Sequence, residues 1–204
     1  MFALVDKSDN SITRMLSGSQ GITLDGIQHP KAIFSLWTEA ERNAINIYTV
    51  EINNSKRKNT EWYVNTNVTY SFNGSKVTGS YGAATARAHA DTLFTAQDES
   101  DGKGTEGDVK DEGLKTKLIR SIKSQAEGEL NKTEWYITRK AEKDTAIPSA
   151  VSTHRDAVRS KQASMETAIT NASDTPALET LYTYTTQEDG STTRPLGELP
   201  TKDF

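Results

Sequence analysis

The stretch Val68-Thr69-Tyr70-Ser71-Phe72-Asn73-Gly74-Ser75-Lys76-Val77-Thr78-Gly79-Ser80-Tyr81 carries the strongest local fold signal in the chain. Two runs of alternating β-formers flank Asn-Gly, a pair that tolerates the positive φ of a tight reversal, so the stretch predicts a β-hairpin. Val68, Tyr70 and Phe72 would share one face, with Val77 and Tyr81 opposite them. Working toward the N-terminus, Ile47-Tyr48-Thr49-Val50-Glu51-Ile52 alternates as a half-buried strand, with Ile47, Thr49 and Glu51 on one face and Tyr48, Val50 and Ile52 on the other. Thr38-Glu39-Ala40-Glu41 has capping-box spacing and opens a short helix over about residues 39–46. Ile22-Thr23-Leu24 and Ile27-Gln28-His29 flank Asp25-Gly26, a second hairpin. Phe2-Ala3-Leu4-Val5 and Ile12-Thr13-Arg14-Met15-Leu16 around a polar turn make a third. Residues 1–96 therefore read as a β-rich domain.

Toward the C-terminus the composition changes. Residues 97–112 are Asp, Glu, Lys and Gly with Val109 as the lone apolar residue, and such a segment cannot offset its ordering entropy by burial. It reads as an acidic, Gly-rich linker. Leu114, Leu118, Ile122, Ala126 and Leu130 then recur every four residues, a helical stripe. Thr133 stands where it could cap a second helix through Trp135, Ile137 and Arg139, which Ile147-Pro148 must end. Val151, Val158, Met165 and Ala172 repeat every seven, joined by His154 and Ile169, in a third helix from about Ser149. Asp174 with Pro176 opens a fourth. Residues 113–184 thus form a small helical bundle, and residues 185–204, poor in apolar side chains, form an extended arm ordered only on a partner. The fold class is α+β.

Composition narrows the function. Of 204 residues only 34% are hydrophobic, so the core is thin. The balance of 24 Lys and Arg against 28 Asp and Glu, net −4, offers no broad positive face and disfavours a nucleic-acid binder. Having no cysteine, the chain has no disulfide, thiolate metal site or cysteine nucleophile. The opening residues do not resemble a signal peptide, and no apolar run approaches the ~18 residues of a membrane span, so synthesis in the cytoplasm without membrane insertion is expected.

Site chemistry is sparse. Gly102-Lys103-Gly104-Thr105-Glu106-Gly107 has the letters of a dinucleotide fingerprint but no preceding strand, and nearby acids would repel phosphate. His29, His89 and His154 lack metal-ligand spacing. No catalytic, metal or cofactor residues are assigned, and no enzyme is expected. The densest informative cluster is Trp135, Tyr136, Arg139 and Glu142 on one helix with Arg155 and Arg159 on the next. One reading, the preferred one, has the tryptophan filling the bundle while Arg–Glu pairs lock two helices. The other has an aromatic and arginine surface anchoring a partner. Trp62 and Tyr63 join these as interface candidates, and with Tyr70 and Tyr81 could stack a host-surface glycan. The tetrad Thr-Glu-Trp-Tyr occurs twice, at 60–63 and 133–136, without the shared flanks of a true repeat.

The stretch Thr133-Glu134-Trp135-Tyr136-Ile137-Thr138-Arg139-Lys140-Ala141-Glu142, with Ile147-Pro148, Val151, Arg155, Ala157-Val158-Arg159 and residues 165–169, resembles a helical domain near the C-terminus of many tail and tail-fibre-associated proteins of tailed phages. Those show Asp-Trp-Tyr-Val-x-Arg, an Ile-Pro, and a Tyr-Arg or Lys-Arg helix; here Glu134 replaces the Asp and His154 stands at the aromatic position. Phe2-Ala3-Leu4-Val5, residues 25–30, Leu36-Trp37-Thr38 and Ile47-Tyr48 look like the opening domain of short virion proteins of marine phages. The resemblance implies a structural virion protein of a phage tail, such as a fibre, adaptor or decorating protein, made in the host cytoplasm. Homo-oligomerisation and contacts with other tail or fibre proteins follow from it, as does a role in assembly or host attachment. The alternative it leaves is a non-virion tail-fibre assembly chaperone.

Overall fold

The structure, a computed structural model, describes residues 1–204 and has an α+β fold, 36% helix and 22% strand. It divides into two compact units, Met1–Thr85 and Ala86–Phe204.

In the first unit, β1 (Phe2–Asp6) and β2 (Ser11–Leu16) form one hairpin, and β3 (Ile22–Leu24) and β4 (Ile27–His29) another. Asp25 and Gly26 between the latter have φ of 50° and 80°, the paired positive values of a two-residue reversal. Helix α1 (Ile33–Leu36) follows, then α2 (Glu39–Ala44), whose Thr38–Glu41 capping box is complete. Strand β5 (Ile47–Asn53), the short β6 (Tyr63–Val64), β7 (Thr69–Phe72) and β8 (Val77–Ser80) complete the unit, and β9 (Thr85–Ala86) leads out of it. The main sheet runs β2-β1-β5-β8-β7, antiparallel except for the parallel β5–β8 pair.

The hairpin of residues 68–81 forms as expected, but its reversal is longer than Asn-Gly alone. Phe72 pairs with Val77, and the Asn73 Oδ1 accepts the amides of Ser75 and Lys76, both at 3.0 Å. The side chain of Asn73 thereby replaces part of the turn backbone. Strand β5 is not half-buried as its alternation suggests. Tyr48 packs with Ala3, Val5, Phe72 and Val77 on one face of the sheet, while Ile47 packs with Ile22 and Ile33 on the other. Helix α1 and the β3–β4 hairpin cover that second face, so both faces of the strand's first residues are buried.

The second unit begins earlier than the sequence suggests. Residues 86–91 belong to the helical unit because their backbone and Asp91 hold the start of α4 (Leu114–Asn131) and α7 (Thr175–Tyr182). The Leu114 and Lys115 amides donate to the Ala88 and His89 carbonyls, and the Thr175 hydroxyl donates to the Arg87 carbonyl at 2.7 Å. Asp91 accepts the Gly113 amide and the Thr116 hydroxyl, both at 2.7 Å, which places a carboxylate at the positive end of α4 and lowers its own pKa. Any Cβ on Gly113 would lie 2.3 Å from the Ala90 carbonyl, so only glycine permits this approach.

Residues 97–112 are not a mobile linker. Strand β10 (Thr92–Leu93), helix α3 (Ala96–Ser100) and β11 (Val109–Asp111) fold them into a compact hairpin-like excursion. Its organiser is a carboxylate rather than an apolar cluster. The buried Asp98 completes a capping box with Thr95 and meets Lys110 Nζ at 3.0 Å, and these bonds hold its pKa down to about 2.

The bundle helices follow their stripes. Helix α4 buries Ile122 and Ala126 against α6 (Ser149–Asn171), which buries Val151, His154, Val158, Met165 and Ile169. Helix α5 (Glu134–Lys143) joins them, and Asp174 caps α7 through the Ala177 amide. Residues 185–204 do not wait for a partner to order. Strands β12 (Thr185–Thr186) and β13 (Thr192–Thr193) pair, Leu196 is buried, and its amide donates to the Leu181 carbonyl at 3.0 Å. Lys161 Nζ reaches the Leu196 carbonyl at 2.8 Å, and Arg194 lies over the rings of Tyr182 and Tyr184.

Candidate functional site

The seven side chains proposed as interface residues separate into three groups. Trp62 and Tyr63 are 3% and 4% exposed, so they belong to the core of the first unit and cannot present a surface. Of the four aromatic side chains suggested for glycan stacking, these two are therefore interior, whereas Tyr70 and Tyr81 are half-buried, the latter beneath the Arg57 guanidinium.

Arg155 is also interior, at 6% exposure. Its Nη1 donates to the Leu130 carbonyl at 2.8 Å and to the Thr133 hydroxyl at 2.9 Å, and its Nη2 meets Glu134 Oε2 at 2.9 Å. Thr133 is thus not the expected cap of α5: its hydroxyl donates to the Leu130 carbonyl and accepts from Arg155. The guanidinium reaches a fork of three acceptors at the α4–α5 turn and ties it to α6. An Arg–Glu pair does lock two helices, through Arg155 and Glu134. Arg159 is exposed and pairs locally with Asp156 at 3.6 Å.

The third group is brought together on α5. Trp135 is 52% exposed rather than filling the bundle, which overturns the preferred packing reading. The reason lies in α5 itself, which buries none of its residues completely: Tyr136, Ile137 and Arg139 are half-buried and Trp135 is left outside. The Trp135 and Tyr136 ring centroids are 4.0 Å apart at 35°. The Arg139 guanidinium carbon sits 4.5 Å from the first centroid and 5.3 Å from the second. The expected Arg139–Glu142 pair does not form, and Arg139 Nε is buried without a hydrogen-bond acceptor. A cation stacked on two rings is oriented in advance, and its charge is not neutralised by any carboxylate.

The remaining sequence candidates fall into place as structure. The Gly102–Gly107 run joins α3 to β11, and no helix opens at its end. His29 packs edge-on against Trp37, and His154 lies 5.2 Å from the Phe204 ring. Sequence reasoning missed Asp91 and Glu134, both of which act on partners more than 20 residues away. The only signal for Glu134 was its place in the Glu-Trp-Tyr motif. No protein-family model, curated protein or solved structure matches this chain.

Proposed function

We propose that the protein is a structural component of a tailed-phage tail, a fibre, adaptor or tail-decorating subunit that works through protein–protein contacts. The observation that carries this reading is the α5 surface: Trp135 half in solvent, stacked with Tyr136 and a guanidinium that has no carboxylate. Tryptophan, tyrosine and arginine are the residue types that dominate binding energy at protein interfaces. A large exposed ring held in place by its neighbours loses little conformational entropy when a partner covers it. The stretch that builds this surface, residues 133–142, is also the one that resembles the tail-protein domain. In this reading the protein is a homo-oligomer in the virion, with α5 docked against a neighbouring subunit.

Quantitative mass spectrometry of purified particles of the parent phage tests the proposal, with a tail protein of known copy number as the standard. A fixed ratio of a few copies or more per particle is expected. Absence from particles combined with abundance in infected-cell lysate would overturn it in favour of a tail-fibre assembly chaperone.

A further inference from the structure

In the first unit, the β3–β4 hairpin covers the main sheet at one end only. Ile22 pairs with His29 and Leu24 with Ile27, so these four side chains share the sheet-facing side of the hairpin. Ile22 is buried with Ile33 and Ile47, whereas Ile27 on the same side is 62% exposed. Toward its Asp25-Gly26 tip the hairpin therefore stands off the sheet. The gap is a cleft of about 450 Å³, within the size range of small-molecule sites.

The walls of the cleft are apolar and its edge is acidic. Leu4, Leu24, Ile27 and Ile45 line it, together with Asp6 and Asp25. Strand β1 turns Leu4 and Asp6 to this side, because Ala3 and Val5 pack on the other. The Ser8 hydroxyl and amide donate to Asp6 Oδ1 at 2.6 and 2.8 Å, which lowers the Asp6 pKa and leaves Oδ2 without a partner. The Asp25 carboxylate makes no hydrogen bond or ion pair. No lysine or arginine lines the cleft. Lys7 reaches the Asn43 carbonyl and lies over Tyr48, whose ring packs on the opposite face of the sheet. Arg14, the cross-strand neighbour of Leu4, lines a separate hollow beside Gly18 and Gly21. His29, the one further titratable side chain of the lining, packs edge-on against Trp37.

We infer that this cleft binds a small organic ammonium ion, its aliphatic or aromatic body between the hairpin tip and the sheet and its charge toward Asp25 and Asp6. An inorganic cation would gain nothing from the four aliphatic side chains, and an anion would meet two carboxylates. A neutral apolar ligand would cover the walls but would strip water from the carboxylates without replacing it. Only a ligand that is both cationic and apolar satisfies walls and edge together. The site lies in the first unit and does not depend on the docking surface of α5.

Amide-resolved NMR titration of the ¹⁵N-labelled full chain at pH 7 tests this, with four probes that separate charge from shape: benzylamine, benzyl alcohol, benzoate and methylamine. Benzylamine is expected to shift the Leu24, Ile27 and Ile45 amides and to saturate with a Kd of about 1 mM. Benzyl alcohol should bind about fivefold or more weakly, and benzoate and methylamine should cause no saturating shift up to about 10 mM. Asp25→Asn keeps a residue type that tolerates the φ of 50° and should weaken benzylamine about fivefold while leaving benzyl alcohol unchanged. Ile27→Lys, at an exposed position, places an ammonium on the cleft wall and should abolish benzylamine binding. The spectra themselves report whether each variant is folded. Trp135→Ala should bind benzylamine like the wild type, since its ring lies in the other unit. Benzylamine that fails to saturate, or that shifts amides away from the cleft, overturns the inference. So does benzyl alcohol or benzoate binding as tightly as benzylamine, or an Asp25→Asn chain that binds benzylamine like the wild type.

Discussion

Replacing Arg155 with alanine should destabilise the helical unit by about 3 kcal/mol. The figure follows from its three contacts and its stem. The bonds to the Leu130 carbonyl and to the buried Thr133 hydroxyl have a charged donor. Each contributes about 1 kcal/mol after the unpaired, buried Nε of the same side chain is set against them. The Glu134 carboxylate is 53% exposed, so that pair adds at most about 0.5 kcal/mol. Loss of the aliphatic stem between α4 and α6 adds about 1 kcal/mol more. Thermal unfolding followed by circular dichroism at 222 nm reports mainly on these helices, and a loss of this size lowers the midpoint by roughly 10 °C in a unit of this length. Arg155→Met keeps the stem and should recover about a third of the loss, whereas Arg155→Lys keeps the charge without the fork and should recover less than half. A shift below about 3 °C for Arg155→Ala would refute the reasoning, because water would then be replacing the guanidinium at the turn.

The other expectations concern each unit separately. Trp62→Ala should cost the first unit about 3–5 kcal/mol, read by urea unfolding with tyrosine and tryptophan fluorescence, because the ring is interior. Leu196→Ala should lower the stability of the helical unit by about 2–4 kcal/mol, and removal of residues 185–204 by at least as much, read by the dichroism melt. An unchanged melt after truncation would mean that the arm contributes nothing to its own unit. The pKa of Asp98 is depressed to about 2 against an ordinary 3.8, so its stabilising contribution is complete above the unfolded value and is lost as pH falls through about 2. Amide exchange of Lys110 and Phe94, followed by NMR between pH 5 and 2, should show the excursion loosening at the acid end. Asp98→Asn should loosen it at pH 5 already and remove most of the pH dependence.

Much of the fold was legible because its signals are local. The Thr38–Glu41 box, the Asp25-Gly26 reversal, the Asp174 cap and the four- and seven-residue helical stripes each need only a few neighbouring residues to act. The failures share a different cause. Composition marked residues 97–112 as unable to order because it counts apolar area, whereas one carboxylate shared between a cap and Lys110 supplies the order instead. The arm escapes composition for the same reason: a buried Leu196 and the Arg194 stack on two tyrosines hold it against its own unit although its apolar content is low. The alternation of β5 predicts one buried face, but its second buried face depends on α1 and the β3–β4 hairpin, which the period of β5 cannot report.

The repeated tetrad Thr-Glu-Trp-Tyr separates what residue type decides from what position decides. At 60–63 the tryptophan and tyrosine are core, each under 5% exposed. At 133–136 the threonine is the fully buried residue, the glutamate holds Arg155, and the tryptophan lies half in solvent. The difference arises at Thr133, whose hydroxyl accepts the guanidinium and draws the first turn of α5 inward on that side. Trp135, two residues along, is then rotated by about 200° at 100° per residue and cannot face the same way. Burying the polar residue therefore exposes the aromatic one, and Arg139, one turn further, stacks on it instead of pairing with Glu142. The same internal bond that stabilises the helical bundle thus sets out the surface assigned to docking. For this reason Arg155→Ala should weaken assembly as well as stability, while Trp135→Ala should weaken assembly and leave the melt within about 0.5 kcal/mol of the wild type.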